Sequence, residues 1–242
     1  MDLSQSTVLV TGANRGIGRA VTNAFHRAGV KKIYAGSRGG DTPEGAGITP
    51  IRLDITDPAT IDAAARTCSD VTLLVNNAGI VRGGGPLGAP SLEGLRAEMD
   101  TNVFGTLALT RAFAPIIRDN GGGGIVALAS ILALAPIPQI GTYAASKAAL
   151  HSLMMSLRAE LDGSGVAVVS VLPALVDTDM TAGIDQQKMT PEQIAAALIT
   201  GLENDETEIF PGPAETMAQG YHANPTGYAA QLAAEFRREP AE

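Results

Sequence analysis

Residues 11–18 read TGANRGIG, and this stretch joins an apolar β-type run, STVLVT at 6–11, to a run of helical periodicity at 16–29. A phosphate needs free backbone N–H groups and the positive end of a helix dipole, and glycine lets the backbone approach it closely. The glycines stand at 12, 16 and 18, a G-x3-G-x-G spacing rather than the common G-x-G-x-x-G. The strand–turn–helix context predicts a phosphate-binding site, and the alternative is a glycine turn that binds nothing.

The same alternation of strand and helix continues along the chain. Short β-rich runs predict further strands at 32–37, 48–53, 71–75, 125–129, 166–172 and 208–210. Capping residues and periodicity predict helices from Asp57-Pro58, from Ser91 to about 120, over 142–161 and from Thr190. The interval 39–47, rich in glycine, predicts an irregular crossover. This order predicts an α/β fold, a Rossmann-type doubly wound parallel β-sheet with helices on both faces, in a single domain over 1–242.

Composition excludes several classes of partner. The net charge of −8 would repel a phosphate backbone, so we expect no nucleic-acid partner. The single cysteine, Cys68, allows no intrachain disulfide and suits a reducing compartment. The first ten residues hold no basic region, and the longest apolar run, 125–137, falls short of the roughly 20 residues that span a bilayer. We therefore expect a soluble, cytoplasmic protein without a membrane partner.

A second motif places a phenol beside an ammonium. Tyr143 and Lys147 stand four residues apart in the predicted helix 142–161, and residues at this spacing share one face. A phenol titrates near pH 10, and a neighbouring positive charge is expected to lower the pKa of Tyr143. Ser130 ends the fifth predicted strand, where its hydroxyl could bond a carbonyl oxygen. The three histidines show no metal-ligand spacing, so no metal site is predicted.

Taken together, these motifs resemble those of the short-chain dehydrogenase/reductase family, strongly from Thr7 to about Thr178. The resemblance implies that Tyr143 is the proton donor and that Ser130 orients the substrate oxygen. It implies that Lys147 binds the nicotinamide ribose and lowers the pKa of the tyrosine, and that Asn102 holds a water that relays protons. It also implies a homo-oligomer, a dimer or tetramer joined through the helices near 91–120 and 142–161.

The cofactor site that the resemblance implies draws on five stretches of the chain. Besides Tyr143 and Lys147, its residues are Gly12, Asn14, Arg15, Gly16, Ile17, Gly18, Asp54, Ile55, Asn76, Ala78, Gly79, Pro173, Val176 and Thr178. The chain departs from the family pattern at Ala174, where glycine is usual, and at Ala129, where many members have serine. The first departure bears on how the nicotinamide is placed.

The charges around the second predicted strand bear on the choice of cofactor. Sites that prefer NAD place an acid at the end of this strand, where it would repel a 2′-phosphate. Here that position is Ser37, followed by Arg38, and Arg15 lies in the glycine turn. Two guanidinium groups and no carboxylate favour NADP(H) over NAD(H), unless both are ordinary surface arginines.

The sequence thus predicts NADPH-dependent reduction of a small-molecule carbonyl compound. The segments expected to line the substrate, 131–134, 136–140 and 174–176, carry no charge, which favours an uncharged ketone or aldehyde. One alternative is a β-ketoacyl-carrier-protein reductase of the same family, although the acidic chain offers a carrier protein little basic surface. The other is a non-catalytic NADPH sensor or scaffold, which would not need the Tyr, Lys, Ser and Asn set.

Overall fold

The computed structural model describes residues 1–236, and these form one sheet of seven parallel strands. The strand order is β3-β2-β1-β4-β5-β6-β7, which confirms the predicted Rossmann-type topology. The strands are β1 (Thr7–Thr11), β2 (Lys32–Ser37), β3 (Ile48–Arg52), β4 (Leu73–Asn76), β5 (Gly123–Leu128), β6 (Val166–Val171) and β7 (Glu208–Ile209). Residues 237–242 of the predicted domain lie outside the described residues.

Eight α-helices accompany the described strands. They are α1 (Gly16–Arg27), α2 (Pro58–Thr67), α3 (Glu93–Glu98), α4 (Thr106–Asp119), α5 (Gly141–Glu160), α6 (Pro191–Glu203), α7 (Pro213–Ala223) and α8 (Pro225–Phe236). A π-helical turn, Met99–Gly105, joins α3 to α4, so the single long helix expected from Ser91 has an unforeseen irregularity in its middle. Helices α7 and α8 were not predicted from the sequence, although each begins with proline, a common first helical residue.

Local capping explains where the predicted helices begin. The Asp57 side chain accepts the Ala59 N–H at the start of α2. Thr190 and Gln193 form a reciprocal capping box at the start of α6. The interval 39–47 contains no helix and crosses irregularly from β2 to β3, as its composition predicts. These short-range signals therefore set the element boundaries as the sequence indicates.

Two apolar cores cover the two faces of the sheet. Along β1, Val8 and Val10 face one core with residues of α1 and α6, whereas Leu9 faces the other with residues of α2, α4 and α5. All three side chains are fully buried, as expected for a strand covered on both faces. The strand order reverses between β1 and β4, so helices leave their carboxyl ends on opposite faces and open a crevice between them.

Candidate active site

The glycine turn lies in this crevice, between β1 and α1. Gly12 and Gly16 have φ values of +63° and +51°, which side chains rarely adopt. A Cβ on Gly18 would collide with the Gly12 carbonyl oxygen and the Asn77 amide. The backbone therefore closes tightly enough to leave the first N–H groups of α1 facing a ligand, which is what a pyrophosphate requires.

Hydrogen bonds tie this turn to the end of β4. Thr11 Oγ1 accepts the N–H groups of Asn77 and Ala78, both at 2.9 Å. The Asn77 amide donates back to the Thr11 carbonyl at 2.8 Å. Asn77, which lies between the predicted site residues Asn76 and Ala78, thereby holds the glycine turn. The Asn76 amide instead donates to Thr110 Oγ1 inside the protein at 3.2 Å, which gives Asn76 a supporting position.

A buried hydroxyl lies at the end of β2, where the sequence predicts the adenosine ribose. Ser37 is 4% exposed, and its Oγ has no hydrogen-bond partner within the described protein. Arg38 follows on the surface, and its charge contributes to lowering the pKa of Asp54, after the hydrogen bonds from Thr56. The glycine cradle, the unpartnered hydroxyl and a nearby cation fit the adenosine half of a dinucleotide.

The segment after β6 packs against the glycine turn. Thr178 lies beside Gly16, because a Cβ there would be 3.3 Å from the Thr178 methyl carbon. Arg15 Nη1 pairs with Asp179 at 2.8 Å, with both side chains largely exposed. Pro173 accepts the Ile131 N–H through its carbonyl oxygen at 3.0 Å, and Val176 is buried. Residues 173–178 therefore reach both the glycine turn and the end of β5, as a nicotinamide-binding segment should.

The predicted catalytic side chains converge across the same crevice. Tyr143 and Lys147 share one face of α5, and Lys147 Nζ is 5.7 Å from the centre of the phenol ring. Lys147 is 4% exposed and donates to the Leu128 carbonyl at the end of β5, at 2.6 Å. Ser130 follows that strand end and accepts the Leu132 N–H, which orients its hydroxyl. Tyr143 and Lys147 therefore lie on one face of α5, as their four-residue spacing predicts.

The pKa of Tyr143 is raised in the protein by itself, whereas from the sequence we expected that Lys147, together with a positive nicotinamide, would lower it. Burial raises the pKa of this phenol above its ordinary value, hydrogen bonding to Ser130 lowers it, and the charge of Glu98 raises it. Burial also lowers the pKa of Lys147 to about 8. Desolvation disfavours the charged form of each group, so a neutral phenol is the resting form.

Asn102 lies on the π-helical turn and binds the loop after β4. Its Oδ1 accepts the Ile80 N–H at 2.8 Å, and its Nδ2 donates to the Ile80 carbonyl and to Ser146 Oγ. A Cβ on Gly79 would be 3.2 Å from Asn102 Oδ1 and 3.4 Å from Lys147 Nζ. Gly79 thus leaves the space in which Asn102 and Lys147 approach each other.

Two features of the site were not predicted. Glu98, fully buried on α3, bonds the loop after β4. An apolar cluster of Ile131, Ala214 and Ala218 forms where α7 packs on the segment after Ser130. Among the described residues, no helix is long and apolar enough to cross a bilayer, and no group of three His, Cys, Asp or Glu could hold a metal.

A nucleotide cradle at the switch point of a parallel sheet, with a Tyr–Lys pair across the crevice, defines a nucleotide-dependent oxidoreductase. The comparisons with known proteins agree. The family model for short chain dehydrogenases matches residues 6–189. The 1-deoxy-11-beta-hydroxypentalenate dehydrogenase of Streptomyces avermitilis is 34% identical over 234 residues, covering 87% of this chain and 86% of that relative. The chain belongs to the short-chain dehydrogenase/reductase family.

Solved structures agree with this membership. A short-chain dehydrogenase of Burkholderia cenocepacia J2315, in complex with NADP, has a TM-score of 0.92 and 37% identity, and the match covers 96% of this chain and 99% of that one. A family member of Burkholderia phymatum, in complex with NAD, has a TM-score of 0.82, with 100% and 98% coverage. Its 24% identity shows the fold alone. The chain is thus an oxidoreductase that acts on CH–OH groups, which disfavours the non-catalytic alternative.

The tight glycine turn yields a first prediction. Gly18→Ala places a methyl group against the Gly12 carbonyl, so the turn must open and binding of the nucleotide cofactor should weaken by about tenfold or more, which is 1.4 kcal/mol or more. Gly183→Ala is the matched control, because nothing lies within 4 Å of a Cβ there. Quenching or enhancement of NADPH fluorescence measures both affinities. Equal affinity in the two variants would contradict the assignment of the turn.

Proposed function

We propose that the protein is an NADPH-dependent carbonyl reductase with Tyr143 as its proton donor. The observation that carries this proposal is the convergence of Ser130, Tyr143 and Lys147 beside the nucleotide cradle. A buried phenol with a raised pKa keeps its proton at neutral pH, which is the form that donates. The pair and the cradle occupy the two sides of one crevice, as hydride and proton delivery to a single carbonyl group require.

The bound nicotinamide would supply the hydride in this chemistry. The Ser130 hydroxyl would donate a hydrogen bond to the substrate oxygen, and the Tyr143 hydroxyl would transfer its proton to the same oxygen as negative charge develops there. Lys147, held by the Leu128 carbonyl, would bind the ribose and place positive charge beside the phenol. Asn102 would hold a relay water near Lys147, on the side that Gly79 leaves open.

The environment of Ser37 favours NADP(H) over NAD(H). No acid stands at the end of β2, and the residue there carries a small, unpartnered hydroxyl. Arg38 follows Ser37 on the surface, and Arg15 is exposed in the glycine turn. Arg15 is paired with Asp179 by an exposed ion pair, an interaction that is weak enough for a phosphate to replace. Two cations, with no carboxylate at the end of β2 itself, suit a 2′-phosphate.

The wall beside Ser130 favours an uncharged ketone or aldehyde. Leu132, Leu134 and Ala174 pack with Phe210 and Met217 around the apolar cluster under α7. A carboxylate brought against this wall would lose its hydration without gaining a partner, which costs several kcal/mol. The wall also makes the carrier-protein alternative less favourable, because its substrate has a polar pantetheine arm that needs hydrogen-bond partners.

Two exposed apolar side chains support a homo-oligomer. Phe104, on the π-helical turn before α4, is 59% exposed, and Met155 on α5 is 45% exposed. Both lie on the helical stretches through which the resemblance implies that a dimer or tetramer forms. Burying such side chains against a second copy would stabilise the assembly.

We further propose a single catalytic domain over 1–242, located in the cytoplasm.

The proton-donor role predicts a selective loss of turnover. Tyr143→Phe removes one hydroxyl and should cut turnover by roughly 10²-fold or more while NADPH affinity stays nearly unchanged. Tyr221→Phe, on α7, is the control and should keep full turnover. Steady-state reduction of a neutral ketone and a separate NADPH titration give the two readouts. A Tyr143→Phe enzyme with more than about a third of wild-type turnover would refute the assignment.

The cofactor preference predicts a nucleotide-specific effect of Arg38→Ala. Loss of a charged hydrogen bond to the 2′-phosphate, worth roughly 1.5–3 kcal/mol, should raise the KM for NADPH about ten- to a hundredfold and leave that for NADH nearly unchanged. Arg66→Ala on the exposed face of α2 is the charge-matched control. The proposal fails if the wild-type enzyme uses NADH as well as NADPH.

The apolar wall predicts a substrate preference. At fixed NADPH, neutral apolar or aryl ketones should show higher kcat/KM than matched ketones that carry a carboxylate, and higher than pantetheine thioesters. The exposed Arg82, on the loop after β4, is the nearby cation that could favour an anion, so Arg82→Ala serves as the companion variant. A preference of about tenfold for the anion, 1.4 kcal/mol of transition-state binding, would reject the proposal.

A further inference from the structure

Glu98 is a fully buried carboxylate at the end of α3, next to the active site. Its Oε1 accepts the backbone N–H groups of Arg82 and Gly83, both at 2.9 Å. Its Oε2 is buried and has no hydrogen-bond partner within the described protein. A buried carboxyl group with one unpaired oxygen is costly, so its presence here calls for an explanation.

The two hydrogen bonds that Glu98 accepts belong to a larger set in which side chains bind the backbone of loop 80–84. Asn102 binds both polar groups of Ile80, Glu98 binds Arg82 and Gly83, and Thr142 binds both polar groups of Gly84. The loop 80–84 therefore runs from the neighbourhood of Lys147 to the first turn of α5. It forms a wall of the crevice whose backbone is held by side chains from three elements.

The unpaired oxygen lies near the start of the helix that carries Tyr143. Glu98 Oε2 is 3.1 Å from the point where a Cβ on Gly83 would stand, and Thr142 Oγ1 contacts the same point. Thr142 immediately precedes Tyr143 in the chain. The charge of Glu98 accordingly raises the pKa of Tyr143, a smaller effect than that of burial. The carboxylate thus connects the loop to the proton donor.

We propose that Glu98 is a positioning residue of this active site, which fixes loop 80–84 through one oxygen and holds the negative charge of its carboxylate beside the first turn of the helix that carries Tyr143. The proposal rests on the function proposed above. A neutral amide could accept the same two N–H bonds, so the loop alone does not require a charge. The charge has a use if reduction is the working direction, because the phenol must then hold its proton until the carbonyl accepts it.

The other charged groups around Tyr143 do not replace this effect. Lys147 lies on the same helix and opposes Glu98 in sign. Arg96 and Asp100, on the helical segment next to α5, are exposed, as is Arg82 on the loop. Exposed charges are screened by water and salt, whereas a buried charge is screened much less. Among the described acidic residues, Glu98 is the buried one that acts on Tyr143.

The test separates the charge of Glu98 from its hydrogen bonds. Glu98→Gln keeps an oxygen for Arg82 and Gly83 but removes the charge, so the alkaline limb of the pH profile for carbonyl reduction should move to lower pH by at least about half a unit. The KM for the ketone should stay within about twofold. Glu98→Ala removes the bonds as well and should raise that KM about tenfold, because two charge-assisted bonds are lost. Glu93→Gln, exposed on the same helix, should change neither quantity.

Two readouts do not depend on turnover and so distinguish this proposal from the proposed function. Hydrogen exchange at the Arg82 and Gly83 amides should stay slow in Glu98→Gln and become fast in Glu98→Ala. Ultraviolet titration of Tyr143, taken as the difference from Tyr143→Phe, should show easier ionisation in Glu98→Gln. If the wild type reduces no neutral ketone, the proposed function fails while these two measurements still decide the role of Glu98.

Specific outcomes would overturn the proposal. A pH limb and a phenol titration in Glu98→Gln that match the wild type would eliminate the role of the charge. Protected Arg82 and Gly83 amides in Glu98→Ala would eliminate the role of the bonds. If Glu98→Ala does not fold, Glu98→Gln is sufficient to test the proposal. It must retain slow hydrogen exchange at the Arg82 and Gly83 amides and still move the alkaline limb of the pH profile to lower pH.

Discussion

The hydrogen bonds that join the carboxyl ends of β1 and β4 are the constraint on which the site depends. Thr11 Oγ1 accepts two N–H groups from the end of β4, and the Asn77 amide returns a bond to β1. The strand order reverses at this pair, so the crevice opens here and nowhere else along the described sheet. The glycine turn stands on one side of these bonds and Gly79, beside Lys147, on the other. The same hydrogen bonds therefore fix the positions of the nucleotide cradle and of the Tyr–Lys pair, and a shift at Thr11 would displace both.

Burial decides the protonation of the reacting groups within that frame. It raises the pKa of Tyr143 and lowers the pKa of Lys147 to about 8, so both groups are pushed toward their neutral forms. Lys147 Nζ donates to the Leu128 carbonyl, its hydrogen-bond partner within the described protein. Because burial pushes this amine toward its neutral form, it stabilises a phenolate less than the Tyr–Lys motif suggests. The phenol of Tyr143 is therefore held in its protonated form. In the proposed mechanism, the positive charge that the reverse reaction needs would come in larger part from an oxidised nicotinamide.

The features that the sequence predicted are those with local causes. Glycine positions, the Asp57 cap and the Thr190–Gln193 box depend on neighbours within one turn, so their patterns carry over directly into structure. The shared face of Tyr143 and Lys147 follows from helix periodicity alone. The raised pKa of Tyr143 in the protein by itself was not foreseen, because it depends on burial and on Glu98, which is distant in sequence. Helices α7 and α8 were missed because their apolar residues give only a weak periodic pattern beyond the initial prolines.

The π-helical turn, which was not predicted, explains how one continuous helical segment contacts several parts of the site. Buried polar residues follow one another at four-residue spacing along α3 and α4: Glu98, Asn102, Thr106 and Thr110. In an α-helix of 3.6 residues per turn, such a series would drift steadily around the axis. A π-helical turn is wider, so four residues rotate less, and the turn at Met99–Gly105 offsets the drift. The series thereby reaches the loop through Glu98 and Asn102, α5 through Ser146, and β4 through Asn76. A buried stripe that would ordinarily pack apolar side chains therefore forms hydrogen bonds to three separate elements. Polar groups at these positions contribute less to core stability than apolar ones would, but they fix the geometry around Tyr143.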